Sequence, residues 1–318
     1  MLVGPATAAR YHAAVVEFKS WAAVQGESLE TPLAVDITME KYFEHLYWAG
    51  EPALRGKVCR CGWLWVHRLG RGSACLPHAY DAVRGWVKAA PEVARKPCPW
   101  VAVLAGARYL ATRGVAARHA ARGGLLQFDL FCRPSELLNL TAADVLPPGR
   151  GRKAYKQWAV VIAPSRADDG FEPAASTKAG DHDVTVIAVD DASRQAGRGW
   201  LVDLWKAALV DRSPDDRIVP LSLGAYERLW REAWTAVGCG HMKFCPHALR
   251  HGGASTDMLL GLRDAAATQK RGHWNVPSSV ARYAKHGTLL GQFRRLPAGM
   301  QDSEASLTKD VHSSLREP

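Results

Sequence analysis

This chain lacks any long apolar run. Hydrophobic residues make up 47% of its 318 positions, yet no run reaches the roughly 20 residues that a bilayer-spanning helix needs. Residues 1–6 do not place a basic region before an apolar core, so they do not resemble a signal peptide. We therefore expect an intracellular protein that is neither secreted nor embedded in a membrane.

Cysteine is infrequent and odd in number. Seven cysteines spread over a long chain argue against a disulfide framework and for a reducing compartment. A zinc site built from Cys59, Cys61, Cys75 and His78 is an alternative. Its Cys-Arg-Cys spacing is tighter than the usual gap of about two to four residues between zinc ligands, so reduced thiols are the favoured interpretation.

The sequence also lacks the motifs of metal-dependent and nucleotide-dependent chemistry. No cluster of acidic residues suggests a two-metal nuclease, and no glycine-rich phosphate loop is present. We therefore expect that the protein uses no cofactor, no metal and no nucleotide.

Acidic residues are sparse in one region of a basic chain. The net charge is +10, and residues 241–300 contain nine lysines and arginines against two aspartates. A surface that binds a polyanion carries such an excess of positive charge. A solvated basic face would explain the charge alone, but it would not explain why the polar motifs described below lie in the same stretch.

The length of the chain fits two domains, each large enough to bury a core. In residues 7–95 apolar side chains recur at three- and four-residue steps, which predicts helices. The basic, proline-bearing stretch 90–99 is typical of a linker. We expect a helical domain over residues 1–98, a second domain over residues 99–300, and a disordered polar tail over residues 301–318.

The second domain combines helices with two strands. The apolar periodicity predicts helices over Val101–Leu110, Ala116–Leu130, Gly199–Val210, Leu223–Val237, Pro246–Leu260 and Arg263–Arg271. The segments Gln157–Ala163 and Asp183–Val189 are apolar or alternating, which predicts a β-hairpin or a small meander. The expected fold class is mainly α with a small antiparallel β-sheet, in which an α+β domain follows a helical one.

Six polar residues stand in an order that could carry chemistry: Arg133, Lys178, His247, Arg250, His273 and Tyr283. His247 and Arg250 are three residues apart, so a helix places both on one face. Pro246 suits a first helical position, and the start of a helix attracts anions. This pair therefore predicts a phosphate-binding face, next to a run of small residues at 252–255 that permits close packing.

These motifs resemble those of the tyrosine recombinases, the phage-integrase family. Residues 131–140, Phe-Cys-Arg-Pro-Ser-Glu-Leu-Leu-Asn-Leu, resemble the first-arginine motif of that family. Residues 246–255, Pro-His-Ala-Leu-Arg-His-Gly-Gly-Ala-Ser, resemble its His-x-x-Arg box. Gly272-His273 resembles the Gly-His that follows, and Tyr283 stands near the position where the family has its nucleophile.

By this resemblance, Arg133 and Arg250 hold the scissile phosphate, which suits arginine because its planar fork binds phosphate in a bidentate manner. His273 would donate a hydrogen bond to the same phosphate. Taken alone, Arg133 could instead be a structural partner of Glu136, and a lone Gly-His usually marks a satisfied core histidine.

Two further residues would move protons. The resemblance makes Lys178, in Ser-Thr-Lys-Ala-Gly before the second strand, the general acid on the leaving 5′ oxygen. Lys153 and Lys156 are competitors that precede the first strand. His247 would serve as a proton acceptor or as a phosphate ligand.

Tyr283 would be the nucleophile. A phenol with its usual pKa of about 10 is weak, so it needs nearby cations or a base. The step from His273 to Tyr283 is ten residues, one more than in many relatives, and the extra residue falls in the loop at 275–278. The nearest rival, Tyr226, precedes the His-x-x-Arg box.

The function implied is site-specific DNA recombination or integration through a 3′-phosphotyrosyl intermediate. The partner would be double-stranded DNA, in the nucleus or in the cytoplasm according to the source, with a homotetramer holding two duplexes. The helical domain would bind DNA, and residues 287–296 are the candidate for linking protomers. Two alternatives stay open: a type IB topoisomerase-like enzyme acting as a monomer, and a catalytically silent DNA-binding protein derived from a recombinase.

Overall fold

The computed structural model describes residues 3–70, 74–90, 96–149, 155–163, 184–275, 277–281 and 286–316. The chain divides into two units, residues 1–94 and residues 95–318, against a predicted division after residue 98. Each unit has its own hydrophobic core. The expected fold class, mainly α with a small antiparallel sheet, is confirmed.

The described part of the first unit is helical. Its helices are α1 (Pro5–Gln25), α2 (Pro32–Trp48), α3 (Ala53–Val66) and α4 (Pro77–Ala89). Helix α1 packs on α3, and α2 packs on α4. The core that they enclose includes Phe18, Met39, Phe43 and Leu64. The prediction that this region is helical is therefore confirmed for its described residues.

A buried carboxylate joins two of these helices. Asp36 on α2 accepts hydrogen bonds from the backbone N–H groups of His78 at 3.0 Å and Ala79 at 2.9 Å. These N–H groups lie in the first turn of α4, where no intrahelical acceptor exists. Asp36 thus caps α4 from a neighbouring helix, which ties the two together.

The second unit adds a sheet to a larger set of helices. The helices are α5 (Trp100–Ala111), α6 (Val115–Leu130), α7 (Pro134–Asn139), α8 (Asp191–Gln195), α9 (Leu201–Leu209), α10 (Leu223–Ala236), α11 (His247–Leu259), α12 (Ala265–Arg271), α13 (Pro277–Val280), α14 (His286–Arg294) and α15 (Glu304–Leu315). The strands are β1 (Val145–Leu146), β2 (Trp158–Ile162) and β3 (Val184–Ala188). The predicted helices and the predicted pair of strands are each present, with ends shifted by one or two residues.

The centre of this unit is the packing of α5, α6 and α10 around Trp230. A Cβ atom on Gly124 of α6 would lie 1.9 Å from the Trp230 ring, and one on Gly106 of α5 would lie 2.8 Å from it. The indole N–H donates to the carbonyl of Ala120 at 3.1 Å. Glycine is therefore required at these two positions, because the ring occupies the space that a side chain would take.

The three strands form one antiparallel sheet in the order β1-β2-β3. Strands β2 and β3 pair from Trp158 opposite Ala188 to Ile162 opposite Val184, as the predicted hairpin requires. Strand β1 was not predicted, because two residues are too few to show an alternating pattern. Its pairing of Val145 with Val160 makes the hairpin a three-stranded meander.

The prediction of a disordered tail over residues 301–318 is wrong. Helix α15 buries Leu307, Val311 and Leu315 and packs against α5. Polar contacts also hold it: the Arg122 Nε donates to the carbonyl of Leu315 at 3.2 Å, and His312 pairs with Asp203 at 2.9 Å. The three leucine and valine side chains recur at four-residue steps, which forms a short apolar stripe on a helix that is otherwise polar.

Some classes of site are missing from the described ranges. None of the helices there has the length and apolarity needed to cross a bilayer. His, Cys, Asp and Glu side chains of the same residues form no group of three or more that could hold a metal ion. All seven cysteines are free, and Cys59, one of the zinc-site candidates, is buried in the core of the first unit.

Candidate functional site

Arg133 is placed by a sharp change of direction after α6. Phe131, which follows that helix, adopts a left-handed conformation with φ of 55°. Arg133 is then the residue preceding α7, and Pro134 opens that helix, where its missing N–H costs nothing. The Arg133 side chain is 18% exposed. The sharp turn thus ends a buried helix and directs one arginine to the edge of the core.

Arg250 reaches the same place from α11. This helix packs closely on its neighbours, because a Cβ atom on Gly252 would lie 2.1 Å from the carbonyl oxygen of Cys98, and one on Gly253 would lie 2.0 Å from that of Phe128. The small residues after Arg250 therefore permit the close approach that the sequence predicted. Arg250 itself is 1% exposed.

Glu136 joins the two arginines. Its carboxylate pairs with the guanidinium of Arg133 and lies 3.4 Å from Nη1 of Arg250, which is 114 positions away in the chain. It also accepts the backbone N–H of Arg133 at 2.6 Å. The predicted structural pair of Arg133 and Glu136 is therefore present, but it is one half of a larger arrangement in which one carboxylate holds two guanidinium groups.

Trp274 and Gly272 complete the setting of Arg250. The guanidinium carbon lies 4.6 Å from the centre of the Trp274 ring, a distance at which cation and ring attract each other. The same guanidinium donates to the carbonyl of Gly272. A Cβ atom on Gly272 would lie 2.1 Å from the Trp274 ring, so glycine is required there. Trp274 thus packs against the guanidinium of Arg250.

His273 lies between these two residues in a buried and polar environment. It is 9% exposed and adopts a left-handed conformation with φ of 52°. The pKa of its imidazole is lowered to about 4, chiefly by burial and also by Arg250, Arg133 and Arg271, against the opposing effect of Glu136. The imidazole is therefore neutral at pH 7.

The Nε2 atom of His273 is buried and has no hydrogen-bond partner among the described residues. Leaving such an atom unpaired costs about 1–3 kcal/mol, and native proteins rarely leave one unexplained. The residue is thus not a satisfied core histidine. It also lines an open pocket with Lys270, Trp274 and Val184.

His247 begins α11, one turn before Arg250. It is half-buried, and its ring centre lies 6.0 Å from that of His251. Pro246 precedes the helix as its cap rather than opening it, and its carbonyl accepts a hydrogen bond from Gln127 at 3.0 Å. The predicted helix therefore starts one residue later than expected, with the two residues still on it.

Lys178 and Tyr283 lie outside the described residues, as does the rival Lys153. The helices on either side of Tyr283 are described. Helix α13 packs against α12, which leads into His273, and α14 packs against α11, which carries Arg250. The helices on the two sides of residues 282–285 are therefore packed on α12, which leads into His273, and on α11, which carries Arg250.

Tyr226, the rival nucleophile, is a core residue. It is 0% exposed, and its hydroxyl donates to Oε1 of Gln127 at 2.9 Å. Burial raises the pKa of this phenol well above its ordinary value. A phenol that is inaccessible and hard to ionise cannot attack a phosphate, so Tyr226 is a structural residue.

The structure also shows buried charged residues that no sequence motif indicated. Asp129 near the end of α6 and Arg271 at the end of α12 are both buried and form an ion pair, with 3.1 Å between Oδ2 and Nη2. A signal was present, since Asp129 interrupts the apolar run Leu-Leu-Gln-Phe-Asp-Leu-Phe and buried carboxylates require partners. The identity of the partner could not be read from the chain.

Comparisons with known proteins give little further information. No protein-family model matches this chain, and no curated protein matches it. Among solved structures it is similar to the crystal structure of XerA recombinase, with a TM-score of 0.40 and 14% identity over 90% of this chain and 98% of that one. The functional assignment therefore depends on the side chains of the site and not on this similarity.

Proposed function

We propose that this protein is a DNA strand transferase of the tyrosine recombinase type. It would cut and rejoin duplex DNA through a covalent 3′-phosphotyrosyl intermediate. One observation carries the proposal: Arg133 and Arg250, from distant parts of the chain, meet at Glu136 beside a buried histidine whose Nε2 atom has no hydrogen-bond partner among the described residues. Such an arrangement suits a phosphate diester.

The two arginines supply the positive charge that the reaction needs. Negative charge grows on the phosphate oxygens in the transition state, and pre-positioned guanidinium groups stabilise it. In the described part of the chain, the guanidinium of Arg133 is bonded only to Glu136, through Nη1. Its remaining N–H donors are thus available to a phosphate oxygen, and the carboxylate keeps the guanidinium in position before DNA binds.

His273 would donate a hydrogen bond to the same phosphate. A neutral imidazole has one N–H and one bare nitrogen, and the tautomer is set by its partners. The low pKa keeps the ring neutral near pH 7, so His273 contributes a directed donor and not another cation. A phosphate oxygen at Nε2 would satisfy this atom, for which the described part of the chain supplies no partner.

The remaining roles fall to the residues that the sequence singled out. The phenolic oxygen of Tyr283 attacks phosphorus, and its proton passes to His247. The bond from phosphorus to the 5′ oxygen breaks, and Lys178 donates a proton to that oxygen. The phosphodiester is conserved as a phosphotyrosine, so the religation step is the reverse reaction with an incoming 5′-hydroxyl, and neither ATP nor a metal ion is consumed.

A nicked suicide duplex taken from DNA that flanks the gene tests this proposal. We expect a covalent protein–DNA adduct that survives denaturing electrophoresis, in excess EDTA and without ATP. Tyr283→Phe should form no adduct and should still bind the duplex, since only the phenolic oxygen is lost. Tyr155→Phe, at an exposed tyrosine, is the matched control and should react like the wild type.

An adduct formed by Tyr283→Phe would place the nucleophile elsewhere, and no adduct from the wild type would favour a silent DNA-binding protein.

Assembly separates two versions of this function. Strand exchange needs two duplexes and, by the resemblance, a homotetramer. The alternative is a type IB topoisomerase-like nicking–closing enzyme that acts as a monomer on one duplex. Joined products from two labelled duplexes would establish recombination, whereas relaxation of a supercoiled plasmid by a monomer, without joined products, would establish the alternative.

A further inference from the structure

Six charged side chains, four of them buried and two half-buried, form a network of ion pairs in the second unit. Its members are Asp129, Asp190, Asp257, Arg198, Arg263 and Arg271. Three carboxylates balance three guanidinium groups, so the network as a whole is neutral. None of these residues belongs to the set that would touch DNA in the proposed reaction.

Arg271 makes the most varied contacts of this network. Its Nε donates to the backbone carbonyl of Asp129 at 2.8 Å, and Nη2 lies 3.1 Å from the carboxylate of the same residue. Its Nη1 donates to the carbonyl of Ile187 at 2.8 Å and to Asp190 at 3.0 Å. One guanidinium thus binds the end of α6 on one side and strand β3 on the other.

Arg198 and Arg263 extend these links to α11. Arg198 lies 3.1 Å from Asp129 and 2.7 Å from Asp257. Arg263 lies 2.8 Å from the other oxygen of Asp257 and binds Asp190 through both terminal nitrogens, at 2.7 and 2.5 Å. Each aspartate is shared by two arginines, so no member can shift without disturbing the others.

The network joins the elements that carry the candidate site. Asp129 is at the end of α6, four residues before Arg133, and Asp257 is on α11 with Arg250. Arg271 ends α12, two residues before His273. Asp190 follows β3, the strand that the segment containing Lys178 enters. Among the described residues, each element that carries a residue of the proposed mechanism therefore contains a member of this network or adjoins one in the chain.

The charges are strongly coupled. Burial alone would raise the pKa of Asp129, but Arg271 and Arg198 outweigh burial and hold that pKa below its ordinary value. Apolar side chains of similar volume often stabilise a core as well as buried ion pairs do. What ionic and bidentate contacts add is a defined geometry, because they fix both the distance and the orientation of the groups they join.

We propose that Arg271 is a positioning residue of the site: its guanidinium fixes His273 and strand β3 relative to Arg133 and Arg250. This inference rests on the proposed function. A misplacement of about 1 Å can slow an oriented reaction by about 10²-fold. Lysine at this position would keep the charge but lose the planar fork, so it could not satisfy the carbonyls of Asp129 and Ile187 and both carboxylates together.

A double-mutant cycle tests this role. Single-turnover adduct formation on the suicide duplex is measured for the wild type, Arg271→Lys, His273→Asn and the double variant. Arg271→Lys should slow the wild type by about tenfold or more, by analogy with other misplaced groups, at unchanged affinity for DNA. In the His273→Asn background the same change should slow the reaction by a clearly smaller factor, because the effects of coupled residues are not additive.

Arg122→Lys is the matched control. Arg122 is also a buried arginine that donates to a backbone carbonyl, that of Leu315, and its replacement should change the rate by less than about twofold. Equal slowing by Arg271→Lys in both backgrounds, or no slowing, would overturn the proposal. Arg271→Gln is the second variant. If neither variant of Arg271 folds, as judged by circular dichroism, while Arg122→Lys does, Arg271 is a residue of general stability and the proposal fails.

A second measurement does not depend on catalysis. Hydrogen exchange in the free protein should accelerate by about tenfold or more in residues 184–190 and 265–275 of Arg271→Lys, because the contacts that join these two segments are lost. Exchange in residues 100–111 should not change. Uniform acceleration, or none, would overturn the positioning role, whereas absence of an adduct from the wild type would contradict only the proposed function.

Discussion

The burial of His273 predicts a measurable dependence of stability on pH. In the folded protein the pKa of His273 is lowered to about 4 from the ordinary 6.5, chiefly because burial disfavours the charged ring. The unfolded chain therefore takes up a proton more readily than the folded one. The stabilisation that follows is complete above about pH 6.5 and is lost as the pH falls toward 4.

The magnitude can be worked out from the two pKa values. Between pH 7 and pH 5 the unfolded histidine becomes almost fully protonated while the folded one stays almost fully neutral. Linkage then gives a loss of about 2 kcal/mol in the free energy of unfolding over this range, with a maximum near 3 kcal/mol at lower pH. For a protein of ordinary stability this is a substantial fraction of the total.

Urea unfolding at pH 7 and at pH 5 would measure the effect. The comparison needs His273→Asn, because asparagine does not titrate and tolerates the left-handed backbone found at φ of 52°. A measurement on the wild type alone would not isolate the effect of His273, since burial also lowers the pKa of His119 and of His67. We expect the wild type to lose about 2 kcal/mol more than His273→Asn over this range.

His241→Asn, at an exposed histidine, is the control and should behave like the wild type. An NMR titration of the ring should place the His273 midpoint well below those of exposed histidines. Equal losses for the wild type and His273→Asn, or a midpoint near 6.5, would refute the claim that His273 is buried and neutral. The proposed role as a neutral donor would fail with it.

Three further predictions concern other parts of the molecule. Glu136→Ala should lower the free energy of unfolding by about 3–5 kcal/mol, because it leaves two largely buried guanidinium groups without their common partner; a loss below 1 kcal/mol would contradict the bridge. Lys178→Ala should cut normal DNA slowly and should be rescued by a 5′-bridging phosphorothiolate, because the sulfur leaves without protonation. Arg133→Ala should be slower than the wild type by roughly 10²-fold or more on both substrates. Wild-type rates from Lys178→Ala on normal DNA would instead make Lys153 or Lys156 the general acid. Leu315→Ala on α15 should cost about 2–4 kcal/mol of stability, against less than about 0.5 kcal/mol for the exposed Lys309→Ala, and equal costs would mean that the helix is not packed.

Several features of this protein were determined by its sequence alone. Helix and strand positions in the second unit followed from the periodicity of apolar residues, because that periodicity reflects which side of each element faces the core. The segment Arg133-Pro134 marked the end of α6, and the small residues after Arg250 indicated close packing. Both are local effects of backbone and side-chain size, which neighbouring residues decide.

Only the tertiary structure decided how the charges of the site are paired. Nothing in the sequence shows that Glu136 is shared between Arg133 and Arg250, since an ion pair depends on the distance between groups and not on their separation along the chain. The low pKa of His273 likewise comes from burial by distant elements. The partners of Arg271 include residues of α6 and β3. The few apolar side chains of α15 are buried because the helix packs against α5. Desolvation and charge pairing act through space, so they exist only once the chain has folded.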